Sequence, residues 1–308
     1  MKVALFGGTG FVGSYITDEL VRGGHNPRLL VRPGSEGKVS SPDACETVSG
    51  AIEEEGTAEE TIHGTDAVIY CIGILREFPR KGITFEALHF EGARSAIRAA
   101  EAAGVKRFIL MSANGVKPDG TGYQSTKYMA DEFLRASTLD WTVFRPSVIF
   151  GEPRGRKEFC SALRDQLIRL PLPAPLFFNG LLPIDAGKFE LSPIHIGDVA
   201  EISIKSLGME ATYGKIYELG GPKRFSWKAV LKTIAAAIGK KKWTVPAPAL
   251  GIKLAAALFD RFSFFPVTRD QITMLMEGNS CDSSAAFELF GGEPTQLSHD
   301  TLSYLLAD

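Results

Sequence analysis

The sequence predicts a doubly wound α/β fold: a parallel sheet flanked by helices, followed by a small C-terminal substrate region. Three observations carry that reading. The first is the run Gly7-Gly8-Thr9-Gly10-Phe11-Val12-Gly13, which follows the apolar stretch Lys2–Phe6 and precedes helical apolar spacing at Val12, Ile16, Leu20 and Val21. A strand, a tight glycine turn and a helix N-terminus form the anion-binding half of a dinucleotide fold. Gly7 permits the turn, Gly10 lets the backbone approach a pyrophosphate, and Gly13 lets the helix pack on the strand. The second observation is the alternation of strand-like and helix-like stretches through the first half of the chain. The third is a change of character after Gly151, where Pro171, Pro173, Pro175, Pro183 and Pro193 suit irregular connections rather than further βαβ units. Together they predict a Rossmann sheet over 1–150, to which 195–220 returns, and a small substrate-binding region made of 151–194 and 221–308.

The elements follow in order. Asn26 to Val31 reads as strand two, ending at Arg32-Pro33-Gly34, and Glu46 to Ser49 as a weak strand three. Ala67 to Ile72 is a strong strand four, stopped by Gly73. Phe85 to Gly104 reads as a long Ala-rich helix with a glycine stop. Arg107 to Ser112 is strand five, Thr126 to Ala136 a second long helix, and Trp141 to Pro146 strand six. Later, Val199 to Leu207 reads as a sheet-covering helix and Ile216 to Leu219 as a strand. Ser226 to Ile238 and Thr268 to Gly278 read as helices. The Ala-, Leu- and Phe-rich segment 247–267 reads as a core helix of the small region. A membrane-surface reading of that segment lacks a surrounding basic face.

Composition narrows the function classes. The 308 residues are 44% hydrophobic and 23% charged, as in an ordinary globular protein. A formal net charge of −2 gives no general electrostatic case for nucleic acid or an anionic membrane. The first strand begins at Lys2, which predicts no leader peptide, and no apolar run reaches the length of a transmembrane segment. Cys45, Cys71, Cys160 and Cys281 lack metal-type spacing and the five histidines are scattered, so no metal site is expected. Reduced thiols predict a cytoplasmic location.

Four motifs then line up in order: the glycine run, Tyr123-Gln124-Ser125-Thr126-Lys127, Arg145-Pro146-Ser147 with Phe150-Gly151, and Pro193-Ile194-His195-Ile196-Gly197-Asp198-Val199-Ala200. This resembles the extended and atypical short-chain dehydrogenase/reductases, the NAD-dependent epimerase/dehydratase-like proteins among them, across nearly the whole chain. Within them it is most similar to the branch of the NAD(P)H-binding accessory subunit of respiratory complex I and its bacterial relatives. Val267-Thr268-Arg269-Asp270-Gln271-Ile272 looks like that branch too.

The resemblance implies a nicotinamide cofactor held by Gly7, Thr9, Gly10, Phe11, Val12 and Gly13. An NAD-reading fold usually carries an acid at the end of strand two; here Arg32 stands there with Lys38 nearby, which predicts NADP(H), with NAD(H) the alternative. Ala51 and Ile52 occupy the place where the family touches adenine, although the usual Asp is missing. Cys71, Ile72 and Gly73 are implied to line the adenosine ribose, Lys127 the nicotinamide ribose, and Pro146, Ser147 and Val148 the nicotinamide amide. Tyr123 is implied as the acid–base residue and Lys127 as the cation that lowers its pKa. Ser112 is implied as the donor to the substrate oxygen and again to flank the cofactor, with Ala113 its alternative in a strict alignment. Only ten residues separate Ser112 from Tyr123, a shorter spacing than catalytic members suggest.

His195 reads as a structural residue joining the two regions, and Asp198 as a helix N-cap. The expected function is an oxidoreductase or epimerase-like enzyme acting in a cleft at the C-terminal edge of the strands. The apolar stretch 159–193 points to a hydrophobic small-molecule substrate. The alternative is a nucleotide-binding structural or regulatory protein without turnover. Peripheral membrane or respiratory-complex association is the partner the resemblance allows; no nucleic acid is expected.

Overall fold

A computed structural model of the chain describes residues 1–251 and 268–306. The segment read as a core helix over 247–267 therefore lies largely outside the described residues. The central sheet begins with β1 (Lys2–Phe6), whose Val3, Ala4, Leu5 and Phe6 are fully buried. β2 (Asn26–Val31), β3 (Glu46–Ser49), β4 (Ala67–Tyr70), β5 (Arg107–Met111) and β6 (Asp140–Pro146) join it, all parallel. With the Lys215–Leu219 strand beyond β6, the spatial order is Lys215–Leu219, β6, β5, β4, β1, β2, β3. The order reverses between β1 and β4, and such a switch point is where doubly wound sheets bind ligands.

The chain forms two units. The first comprises Met1–Pro146, Ile196–Glu218 and Glu288–Gly291; the second comprises Ser147–His195, Leu219–Phe287 and Gly292–Asp308. The core of the first lies under the sheet, with Phe6, Val68, Tyr70, Ile97, Phe108 and Val143 all at or below 1% exposure. In the second, Trp227 stacks between Phe177 and Phe189 and donates its indole N–H to the Pro175 carbonyl at 2.9 Å. Among the described residues no helix is long and apolar enough to cross a membrane, and no acidic, His or Cys group is arranged to hold a metal.

Several boundaries shift for identifiable reasons. After α1 (Phe11–Arg22) and the short α2 (Thr57–Ile62), the helix expected from Phe85 opens as a wide π turn, Glu86–Glu91, before the regular α3 (Gly92–Ala103). Glu77 accepts the Phe85 amide at 2.7 Å and Thr84 Oγ1 the Ala87 amide at 3.1 Å, which fixes its start. Gly104 ends it at φ +72°, as the glycine stop predicts. The helix expected from Thr126 begins at Gly122, because Thr121 and Gln124 form a reciprocal capping box; α4 therefore runs Gly122–Arg135. Asp198 is not an N-cap. The buried Ile196 opens the helix Ile196–Lys205, leaving Asp198 in its first turn, where it favours the dipole instead. His195 sits on a short strand in the second unit with its ring 5.3 Å from that of Phe150.

Candidate functional site

At the switch point β1 runs into the glycine turn. Gly7 adopts φ +93°, a conformation that side chains rarely tolerate. The Gly10 amide donates to the Gly7 carbonyl at 2.9 Å and closes the turn. The helix α1 (Phe11–Arg22) then starts with no side-chain cap on Gly10 and no acid in its first turn. A Cβ on Gly13 would sit 2.1 Å from the Gly7 carbonyl oxygen, whereas one on Gly10 would meet only that oxygen, at 3.2 Å. Gly13 is thus the packing glycine and Gly10 faces open space. These residues fit a dinucleotide pyrophosphate: a helix N-terminus with free donors, a positive dipole end and no side chain in the way. Gly13→Ala is expected to cost about 1–3 kcal/mol by overpacking, read as a drop in melting temperature, and to weaken NADPH binding with it.

The remaining predicted cofactor residues of the first unit follow its other strands and helices. Phe11 and Val12 form the first turn of α1, and Thr9 precedes it half-buried. Arg32 follows β2, and its Nη2 lies 3.5 Å from the Glu53 carboxylate. Lys38 closes a short turn, Glu36–Lys38. Ala51 is half-exposed; Ile52 is buried in the core, where a Cβ on Gly92 would come within 3.0 Å of it. Cys71 bonds the Phe6 carbonyl through its amide (2.9 Å) and its thiol (3.1 Å), and burial pushes that thiol up to about 12. Ile72 and Gly73 follow it. A Cβ on Gly73 would lie 3.7 Å from Lys127 Nζ. Pro146 ends β6 and accepts the Asn114 amide at 2.9 Å. Ser147 and Val148 belong to the second unit, where the Ser147 hydroxyl donates to the Asn279 carbonyl at 2.6 Å.

Tyr123, Lys127 and Asp131 succeed one another at four-residue spacing along α4, so they share one face. Lys127 is 6% exposed and donates to the Met111 carbonyl at 3.0 Å, at the end of β5. Burial pushes its ammonium down to about 8, opposed by the Asp131 carboxylate. Asp131 is fully buried and takes Arg145 from β6 onto Oδ2, with Nε and Nη2 both at 2.9 Å. Its own pKa is raised by burial, opposed by Ser112 and Arg145.

Ser112 follows β5 and its hydroxyl is buried. Neither Ser112 Oγ nor Asp131 Oδ1 has a hydrogen-bond partner of good geometry, although the hydroxyl lies close enough to Asp131 to stabilise its charge.

Tyr123 packs edge-on against Phe85 and His89, with centroids 5.8 and 5.1 Å away, and Lys127 Nζ lies 5.9 Å from its ring centroid. Burial holds its phenol above the ordinary range. The expected lowering by Lys127 is therefore absent in the protein alone: the ammonium is spent on the Met111 carbonyl and faces the ring. His89 Nε2 accepts the Ile74 amide at 3.0 Å, and its Nδ1 lies 3.2 Å from Thr126 Oγ1, which donates to the Gly122 carbonyl at 2.7 Å. Burial pushes His89 down to about 2, so it is neutral, with the proton on Nδ1.

Sequence reasoning missed His89, Asp131 and Glu53. The signal for Asp131 was present as Lys127-x-x-x-Asp131, one helical turn apart.

The family model for NAD(P)H-binding proteins matches residues 7–166, which is half of the chain. The NADH-ubiquinone oxidoreductase 40 kDa subunit of Neurospora crassa is 26% identical over 98% of this chain and 78% of its own length. The ceramide reductase of Caulobacter vibrioides is 27% identical over 85% of this chain and 78% of its own. Among solved structures, MoeE5 in complex with UDP-glucose and NAD superposes with a TM-score of 0.72 at 16% identity, over 99% of this chain and 97% of that one. With its switch-point glycine turn and its seven-stranded sheet, the chain belongs to the NAD(P)H-binding family.

Proposed function

We propose that this chain is an NADP(H)-dependent oxidoreductase, epimerase-like in build, that acts on a hydrophobic small molecule through Tyr123 and Lys127. The observation that supports it most is the Lys127 ammonium, drawn into the protein beside Gly73, Met111 and the Tyr123 ring. A buried cation is costly unless it serves a partner. Here it would hold the nicotinamide ribose and stabilise phenolate at Tyr123 Oη as a proton leaves or returns there. When bound, the nicotinamide supplies or takes the hydride. The ceramide reductase relative and the apolar second unit favour a lipid-like substrate.

NADP(H) is preferred on charge. Arg32 is half-exposed, and a guanidinium fork matches a 2′-phosphate. Its ion pair with Glu53 sets the balance, since that carboxylate would repel a phosphate and accept bonds from ribose hydroxyls. Arg32→Glu is expected to reverse the preference, and Glu53→Gln to widen it roughly tenfold toward NADPH, the effect of about 1.4 kcal/mol. Calorimetric titration of both coenzymes against both variants checks this; equal affinities in wild type and Arg32→Glu would refute it.

One observation favours a second reading, a nucleotide-binding protein without turnover. The Ser112 hydroxyl is buried, which closes it to a substrate oxygen in the protein alone. The similarity to a complex I subunit agrees with that reading. A panel of ketones, enones, quinones and nucleotide sugars, with NADPH oxidation followed optically and epimerisation by product analysis, separates the two.

A further inference from the structure

We propose that the second unit carries a docking surface for an anionic lipid membrane, formed around the two-stranded ribbon Ala174–Phe178 and Thr244–Pro248. The two strands pair in parallel from Ala174↔Thr244 to Phe178↔Pro248. Five large apolar side chains stand on and beside this ribbon in water: Leu172, Leu181, Leu182, Ile184 and Trp243, exposed by 65–99%. Single exposed leucines need no explanation, but a group of them on one substructure does.

Their grouping is fixed by the backbone. The Ala174 amide donates to the Trp243 carbonyl at 2.8 Å, which ties the Leu172 segment to Trp243. The turn Pro183–Asp185 lies beside both strands, and the Gly187 amide returns to the Phe177 carbonyl at 2.9 Å, so the loop carrying Leu181, Leu182 and Ile184 folds back onto the ribbon. Leu181 is 99% exposed.

Charge identifies the occupant. Lys240, Lys241 and Lys242 run directly into Trp243, and Lys240 and Lys241 are exposed. Lys242 donates to the Leu170 carbonyl at 2.5 Å and the Ile168 carbonyl at 3.3 Å, which pins the cationic run against the Leu172 segment. Arg169 adds a further cation. The nearby acids are Asp165, which pairs with Arg164 and Arg169, and Asp185 on the apolar loop. The ribbon thus presents tryptophan and leucines rimmed by lysine, although the chain as a whole is slightly acidic. Apolar side chains that enter the acyl boundary beside lysines that meet anionic headgroups are the pattern of a peripheral membrane site. A soluble protein partner of matching chemistry is an outcome of the test.

The test is co-sedimentation of the full chain with sonicated vesicles, either phosphatidylcholine alone or with a third of the lipid replaced by phosphatidylglycerol. The wild type is expected to pellet with the anionic vesicles, to stay in solution with the neutral ones, and to be released by added salt. Lys240→Glu with Lys241→Glu is expected to cost at least twentyfold in partitioning, roughly fivefold per lysine. Leu181→Asp with Leu182→Asp should abolish pelleting. All four positions are exposed, and unchanged melting and an unchanged NADPH-induced shift show that the fold and the cofactor site are untouched. Wild type that stays in solution with anionic vesicles overturns the proposal, as does either variant that pellets like wild type. Variants that change only the oligomeric state in light scattering assign the surface to protein and overturn the lipid.

Discussion

In a Tyr123→Phe variant, turnover is expected to fall about 10²–10⁴-fold, the usual value of a positioned acid–base group, while NADPH affinity hardly changes. The substitution removes one hydroxyl and keeps the ring that packs on Phe85 and His89. The pyrophosphate turn lies at the end of β1 and is not touched. Lys127→Ala should damage both quantities, since in the proposed mechanism the ammonium would serve both the tyrosine and the ribose. The pH dependence separates the two residues. Lys127 loses its proton near pH 8 in the folded protein, so NADPH affinity in wild type is expected to weaken as pH rises through that value. Tyr123→Phe keeps this break and Lys127→Met loses it. Steady-state rates on any substrate from the panel, with calorimetric titrations across pH, check the set. A Tyr123→Phe variant with full activity would refute the acid–base assignment and leave the cofactor site standing.

Arg145→Met is expected to destabilise the protein by about 3–5 kcal/mol, the cost of leaving one charge of a buried pair alone. Asp131 is fully buried and takes two donors from Arg145, so nothing of comparable strength replaces them. The sign of the pH effect follows from the raised Asp131 pKa. A carboxyl whose folded pKa exceeds its unfolded value near 3.8 favours the native state when protonated, and that advantage is lost as pH rises through the folded value. Removing Arg145 raises the folded value further. The deficit of the variant against wild type should therefore be largest near neutrality and shrink as the pH falls, because a neutral Asp131 needs no cation. Thermal melts from pH 7 downward measure this. A deficit constant with pH would mean that packing, not charge, is what Arg145 supplies.

The parts of the site that were legible in the sequence are those set by local chemistry. Gly7 and Gly13 could be read because one needs a positive φ and the other has a carbonyl where a Cβ would go, and only glycine meets either demand. Asp131 was hidden for the opposite reason. A carboxylate one turn after a lysine on a helix reads as a solvated ion pair, and only the placement of α4 against β5 and β6 makes it a buried one. Glu53 was hidden by register: Val31 sits opposite Ser49 in the β2–β3 pair, which carries the residues after each strand side by side. Arg32 therefore meets an acid twenty-one positions away, while the nearer Glu36 bonds the Gly34 amide. The start of α4 was written in Thr121 and Gln124, where a capping box outweighs the glycine that follows.

The first unit is completed by residues 288–291, where Phe290 lies 6.1 Å from the Phe144 ring and 5.5 Å from that of Tyr217, and its carbonyl accepts Lys205 Nζ at 2.9 Å. During synthesis on the ribosome, six strands of the sheet emerge long before the aromatic plug that covers their far edge. At ordinary elongation rates the interval from residue 146 to residue 290 is roughly 7–30 s. Until residue 290 emerges, Phe144 has only Tyr217, 5.9 Å away in the finished protein, of the two rings that pack on it, and most of the second unit is made in between. The chain thus times its own maturation: a stop codon a few residues before 288 would release a polypeptide that holds every nucleotide-binding motif and lacks the last piece of the wall behind them.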